Sequence, residues 1–257
     1  MTGTDKSLKP ADADAPDIIL IEPQMGENIG ACARAMLNCG MAKLVIVNPR
    51  DGWPNAAADA MSSGALERMP PVRVCQSAAE AIAPYHYIYA TTARPRDMVK
   101  PVLTARGAAA DIHKRHTAHS KTAILFGPER SGLSNDDVAL AHAVITIPLN
   151  PGFSSLNLAQ CVLLVAYEWY QALEAQQAIP AAQLPTGDSA PATHGEYLGL
   201  MRRLEDELAQ NGFFRSPDMK PSILRNLKNM MARAEMTDQE IRTFHGIISA
   251  LTGKKTP

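Results

Sequence analysis

The sequence predicts an α/β domain with a mainly parallel sheet, followed by a small helical module. Three observations carry this expectation. Five short apolar segments alternate with helical ones up to about residue 170, three of the strand ends run into loops rich in Gly, Pro, Thr and Ser, and the composition shifts near residue 174. Strand, turn, helix, strand is the parallel crossover unit, and loops at the carboxyl ends of such strands are where ligands bind in open α/β sheets.

Residues 17–22 (DIILIE) read as a buried strand that Pro23 and Gly26 end in a turn. Residues 28–39 then form an alanine-rich helix that carries Asn28 and Arg34 and is closed by Gly40. Residues 43–48 (KLVIVN) are the second strand, and short helices are expected over 55–63 and 77–83. The third strand, 86–91, ends in the polar and basic stretch Thr91, Thr92, Ala93, Arg94, Pro95, Arg96. A helix over 104–115 leads to the fourth strand, 122–126, and to the loop Gly127-Pro128-Glu129-Arg130-Ser131-Gly132-Leu133. Ser134 and Asp137 have the spacing of a capping box for a short helix to about His142, and 143–147 is the fifth strand.

That strand delivers the chain to Pro148-Leu149-Asn150-Pro151-Gly152-Phe153-Ser154-Ser155-Leu156-Asn157. Prolines and glycine forbid regular structure there, and the adjacent hydroxyls suit the free N–H groups of a helix start, so Ser154 and Ser155 are expected at a helix N-terminus. The helix that follows, 156–170, is so apolar that it is expected to be largely buried, which would hold the polar loop firmly.

Residues 174–193, rich in Ala, Gln, Pro, Gly and Ser without periodicity, read as a linker. Beyond it, Tyr197, Leu200, Met201, Leu204 and Leu208 keep helical spacing up to Gly212, Pro221 starts a second helix, and Thr237 with Glu240 caps a third that Gly253 closes. The expected organisation is a disordered lead over 1–16, a main domain over 17–173, the linker, and a helical extension over 194–257. From residue 211 onward eight Lys or Arg stand against four acids, a local excess compatible with a phosphate backbone or with a solvated face.

Composition excludes more than it selects. Net charge is -1 and the pI about 6.7, so no global field draws the chain to nucleic acid or membrane. No long apolar run suggests a membrane span, and the polar start (Met1 to Ala15) lacks a signal-peptide core, so a cytoplasmic protein is expected. The four cysteines (Cys32, Cys39, Cys75, Cys161) form no Cys-x-x-Cys pair and read as reduced core thiols. His113, His116 and His119 are spaced by three in what reads as a polar surface run, and no metal site is expected there. Gly26-Glu27-Asn28-Ile29-Gly30 lacks the third glycine of a dinucleotide fingerprint, and there is neither a P-loop nor a Gly-x-Ser-x-Gly elbow. What remains are three loops bearing Asn28 and Arg34, Glu129 and Arg130, and Ser154, Ser155 and Asn157. Such positioners suit a reaction whose substrate brings its own leaving group.

Three stretches carry a resemblance. Asn28 to Met36, Phe126 to Asn135, and Ile147-Pro148 through Ser155-Leu156-Asn157-Leu158-Ala159 resemble the signature motifs of the SpoU/TrmH branch of SPOUT RNA methyltransferases, in order and spacing. Within that branch the chain is most similar to the enzymes that methylate the 2'-hydroxyl of cytidine or uridine in tRNA, whose helical extension its tail resembles. Pro128 stands where some relatives have Arg. The resemblance implies a sheet whose C-terminal part is threaded into a trefoil knot, and a homodimer whose site takes residues from both subunits. It implies S-adenosylmethionine held by Thr91, Thr92, Ala93, Gly127, Glu129, Ile147, Ser154, Ser155 and Leu156. It places Asn28, Arg34, Glu129, Ser155 and Asn157 at functional positions, with no metal and tRNA as partner. Arg34 is proposed as a base in such enzymes, but a guanidinium gives up its proton at great cost, so orienting a phosphate and stabilising a developing alkoxide is the easier role. Methylation of ribosomal RNA or of another tRNA position, and RNA binding without catalysis, stay open as alternatives.

Overall fold

The computed structural model describes residues 15–93, 98–175 and 189–253. The lead up to residue 14, Arg94 and Arg96, most of the expected linker, and Lys254 and Lys255 lie outside the described residues. The seven described strands form one sheet in the order β3-β2-β1-β6-β4-β7-β5, every neighbouring pair parallel. All strands therefore point their carboxyl ends to one edge.

The strands are β1 (Asp17–Ile21), β2 (Leu44–Val47), β3 (Arg73–Cys75), β4 (Tyr87–Thr91), β5 (Val102–Thr104), β6 (Thr122–Phe126) and β7 (Ala143–Thr146). Five match the expected apolar segments, because a parallel strand covered on both faces reads as a continuous apolar run. Alternate residues of β1 separate the two layers. Ile18 and Leu20 pack with α1 (Gly26–Asn38), α5 (Ala105–Thr117) and α7 (Leu158–Ala175), whereas Ile19 and Ile21 pack with α4 (Ala78–Ile82) and α6 (Asn135–Ala139). The other two strands, β3 and β5, were not expected from the sequence. Both are three-residue edge strands whose side chains are mostly exposed, Cys75 and the half-buried Leu103 apart, so neither carries an apolar run.

Gly30 sets the spacing between α1 and α2 (Ala56–Ser62). A Cβ on it would lie 2.1 Å from the Ala58 carbonyl oxygen, so only glycine lets the two backbones approach this closely. Asn55 caps α2 by accepting from the amides of Ala57 and Ala58, and the one-turn α3 (Ala65–Arg68) follows it. The Ser134–Asp137 capping box forms in full.

Two expectations are corrected in this layer. The His113 ring is not on the surface: it is buried and stacks on Trp169 at 5.4 Å between centroids, with Nε2 at 3.0 Å from the Trp169 carbonyl. An imidazole is flat and half apolar, and its polar atom finds a partner, so it is stable in the core. Among the described residues no group of His, Cys, Asp and Glu could hold a metal ion. Helix α7, expected to be largely buried, hides Leu158, Val162, Val165, Ala166 and Trp169 but leaves Leu163, Leu164, Tyr167 and Tyr170 exposed. One apolar stripe meets the core and a second faces outward, a distinction that an all-apolar sequence does not draw.

The tail forms three further helices, α8 (His194–Gln210), α9 (Lys220–Ala232) and α10 (Asp238–Thr252), around its own core of Tyr197, Leu200, Met201, Met231 and Ile241. A capping box at Thr193 and Glu196 starts α8 at His194, directly after the stretch read as linker. The tail is fastened to the main domain at several points. The amides of His194 and Gly195 donate to the carbonyls of Tyr85 and Ala83, Arg233 donates to the Val99 carbonyl, and Arg115 forms a two-pronged ion pair with Glu235. Arg115 also bonds Asp111 and lies over the Tyr87 ring at 3.3 Å from its centroid. Behind it, His142 stacks on Tyr87, His194 meets His142 edge-on, and Tyr197 follows. Burial drives both imidazoles toward the neutral form: His142 titrates well below the ordinary range and His194 at about 3.

Candidate functional site

At the carboxyl edge of the sheet the three sequence-identified loops meet. Glu129, in the loop after β6, accepts from the backbone amide of Gln24 at 2.8 Å and from the Asn28 side-chain amide at 2.7 Å. The Asn28 carbonyl oxygen in turn accepts from the Asn157 amide at 3.0 Å. Asn157 then points its own carbonyl oxygen at the amides of Ala159 and Gln160, so it is the residue that caps α7. One chain of polar groups thus runs from the β6 loop through the start of α1 to the start of α7. Every member is oriented by its neighbours, which fixes rotamers that would otherwise be free.

This corrects the placement of Ser154 and Ser155. The helix begins at Leu158, not beside the serines, because an asparagine at the cap position accepts both free amides itself. Ser154 and Ser155 are exposed and make no side-chain hydrogen bond to a described residue, so their hydroxyls remain available to a ligand. The cofactor positions expected from the resemblance fall on three neighbouring strands, since β6, β4 and β7 are adjacent. Thr91 is buried and donates its hydroxyl to the Leu125 carbonyl at 2.9 Å, pinning the end of β4 to β6. The Thr92 amide donates to the Ile145 carbonyl, and Ala93 is exposed just beyond. Ile147 and Leu156 are half-buried. Gly127 is compressed: a Cβ there would lie 2.2 Å from the Leu133 amide nitrogen and 2.3 Å from the Gly132 carbonyl carbon. The β6 loop can fold back on itself only because residue 127 has no side chain.

Arg34 is not brought to this cluster. It projects from α1 toward the end of α2, exposed, with one guanidinium nitrogen donating to the Ser63 hydroxyl at 3.0 Å. Gln24 is a member that the sequence reading missed. Its contribution is a backbone N–H, and no residue-type signal could have marked it.

The chain matches the SpoU rRNA Methylase family over residues 16–167. It belongs to that family. Among curated relatives of this SpoU chain, "tRNA (cytidine/uridine-2'-O-)-methyltransferase TrmJ" of Pectobacterium atrosepticum is 31% identical over 234 residues, covering 91% of this chain and 95% of the relative. The enzyme of the same name from Yersinia enterocolitica is 34% identical over 236 residues, covering 91% of this chain and 90% of the relative. Among solved structures, TrmJ from Z. mobilis ZM4 superposes with a TM-score of 0.82 at 45% identity, covering 93% of this chain and 99% of that one. The likeness to TrmJ thus runs through the helical tail as well as the SpoU domain. The Glu129–Asn28–Asn157 chain lies within the matched SpoU region.

Proposed function

We propose that the chain is an S-adenosylmethionine-dependent tRNA 2'-O-methyltransferase that acts on cytidine or uridine at the start of the anticodon loop. The observation that carries this reading is the polar chain of Glu129, Asn28 and Asn157, which joins the three motif loops at one sheet edge. The TrmJ relatives that match nearly the whole chain support the substrate. The interleaved order β6-β4-β7, in which two later strands flank an earlier one, supports the trefoil knot that family likeness implies.

The residues present fit the cofactor. Backbone groups at the ends of β4, β6 and β7, the half-buried Ile147 and Leu156, and the free hydroxyls of Ser154 and Ser155 suit an adenosine, whose base is flat and whose ribose needs hydrogen bonds. When bound, S-adenosylmethionine would supply the sulfonium methyl group that the ribose 2'-oxygen takes up, its sulfur leaving as a thioether and the hydroxyl proton passing to solvent. Asn28 and Asn157, held by Glu129, orient the ribose. Ser155, exposed in the loop before α7 two residues ahead of Asn157, offers a hydroxyl to the same ligand. Within its own chain Arg34 bonds Ser63 and no member of this cluster. Its position supports a homodimer in which Arg34 of one subunit completes the site of the other and holds a phosphate next to the target ribose. The outward stripe Leu163, Leu164, Tyr167 and Tyr170 on α7 supports the same dimer, since exposed apolar patches mark association surfaces. The basic tail would touch the folded tRNA outside the anticodon loop. The enzyme would work in the cytoplasm, and among the described residues no helix is long and apolar enough to cross a membrane.

The test is methyl transfer from labelled S-adenosylmethionine to total tRNA and to ribosomal RNA, with mass mapping of the product. A 2'-O-methyl at the start of the anticodon loop is expected. Transfer only to ribosomal RNA would keep the chemistry and overturn the substrate, and tight cofactor binding without transfer to either RNA would count against catalysis.

A further inference from the structure

A cavity of about 550 Å³ opens at the same sheet edge, beside the polar chain and not part of it. Its walls include Glu22 after β1, Asn48 after β2, Gln76 after β3, and Pro128, Ser131 and Asp137 of the β6–α6 segment. Glu22 and Asn48 both hold left-handed backbone, at φ 45° and 43°, a region that residues other than glycine enter at a cost. The sheet ladder enforces it, because the Glu22 amide donates to the Val47 carbonyl at 2.8 Å and the Asn48 amide to the Cys75 carbonyl at 3.1 Å. Two adjacent strand ends are therefore bent the same way around one cavity.

The charge on the walls is one-sided, with the carboxylates of Glu22 and Asp137 among neutral side chains. The Glu22 carboxylate makes no hydrogen bond to a described residue. Asn48 donates one side-chain N–H to the Gln76 carbonyl, which fixes the amide and leaves its oxygen, an acceptor, without a hydrogen bond to a described residue. No Lys or Arg lines the cavity. Such walls repel a phosphate and suit a neutral group with N–H donors, which is the amino edge of a nucleobase.

The cavity and the polar chain share two loops. Pro128 lines the cavity while Glu129, the next residue, holds Asn28. Glu22 lines the cavity while Gln24, two residues on, gives its amide to Glu129. An RNA with its target ribose at Asn28 and Asn157 would carry a neighbouring nucleotide to the cavity mouth. We propose that this cavity is a base-reading subsite of the methyltransferase, which takes the nucleobase next to the methylated ribose and reads its N–H edge through Glu22 and Asn48. This inference rests on the RNA methyltransferase reading above.

The test uses the full-length protein, total tRNA, and a synthetic anticodon stem-loop in which each base flanking the mapped methylation site is replaced in turn by one lacking the exocyclic amine. Glu22→Gln keeps size and replaces an acceptor-only group with one that also donates. It is expected to raise KM for tRNA about tenfold, with little change in kcat and unchanged cofactor affinity by calorimetry. One base replacement should cost the wild type a similar factor and cost Glu22→Gln nothing further. Ser131→Trp, which fills the mouth from an exposed position, should reproduce the loss and keeps the inference testable should the Glu22 variant fold poorly. Wild-type kinetics in both variants, losses that add independently, or a loss that follows cofactor affinity would overturn the subsite while leaving the methyltransferase reading intact. Failure of the wild type to methylate any RNA would overturn both.

Discussion

Glu129 and Asn28 lie 101 residues apart in sequence and 2.7 Å apart in space, and the same carboxylate also accepts the Gln24 amide at 2.8 Å. A carboxylate is suited to this place because it can only accept, so it fixes which way the Asn28 amide faces. Glu129→Ala leaves the donors of Asn28 and Gln24 without their acceptor and costs about 1–3 kcal/mol where they stay buried. Methyl transfer is expected to fall by about a hundredfold or more, measured by labelled transfer beside a thermal melt that shows the variant folded.

Arg34→Lys tests the planar fork rather than the charge. Arg34 is exposed and bonds Ser63, so the variant should melt as the wild type does. Its kcat for tRNA should drop about tenfold or more, because an ammonium cannot present two parallel N–H bonds to a phosphate. Full activity in the lysine variant would refute every role that depends on the fork. Mixing Arg34→Lys subunits with subunits carrying Glu129→Ala is the companion measurement: a site shared between subunits restores part of the activity in the mixed dimer.

Gly127→Ala forces a methyl group to within 2.2 Å of the Leu133 amide nitrogen. Backbone cannot yield as a flexible side chain does, so the β6 loop must open. The expected cost is about 1–3 kcal/mol of stability and at least a tenfold weaker cofactor affinity by calorimetry. Unchanged affinity would separate this loop from the cofactor site.

The tail's attachment is expected to weaken in acid. His194 is buried and titrates at about 3, against an ordinary 6.5, and His142 is shifted the same way; desolvation is the first cause for both. Below the ordinary value the unfolded form binds a proton that the folded form refuses, so stability is full above pH 6.5 and falls as pH drops toward 3. Each imidazole adds a slope of up to ~1.4 kcal/mol per pH unit. Lys100, whose ammonium bonds the Ala139 and Ala141 carbonyls and titrates at about 8, lies close to both rings and adds to the penalty on their protonation. Urea unfolding between pH 7.5 and 5 should show this slope, and His194→Phe should flatten it.

The interior strands were legible because both faces of β1, β4 and β6 are covered, so Ile18–Ile21 and its counterparts are apolar without a gap. Edge strands β3 and β5 were not, since Arg73, Val74 and Val102 face solvent and nothing in such residues signals pairing. Helix starts were legible wherever a side chain makes the cap, as at Thr237 and Ser134, and misplaced by a few residues where two serines and an asparagine competed for the role. At the site, Asn28, Glu129 and Asn157 were singled out from sequence, and their side chains are the ones that meet. The Gln24 amide and the bent backbone at Glu22 and Asn48 were not, because backbone geometry at those positions is set by the ladder next door and not by the residue itself.

The fastening of the tail through Arg115, Arg233 and the start of α8 turns the molecule into a caliper. Its two jaws, the motif edge and the tail, keep a fixed gap. An RNA that touched both would have to bring a set shape to that gap, so its dimensions would be tested before any base was read.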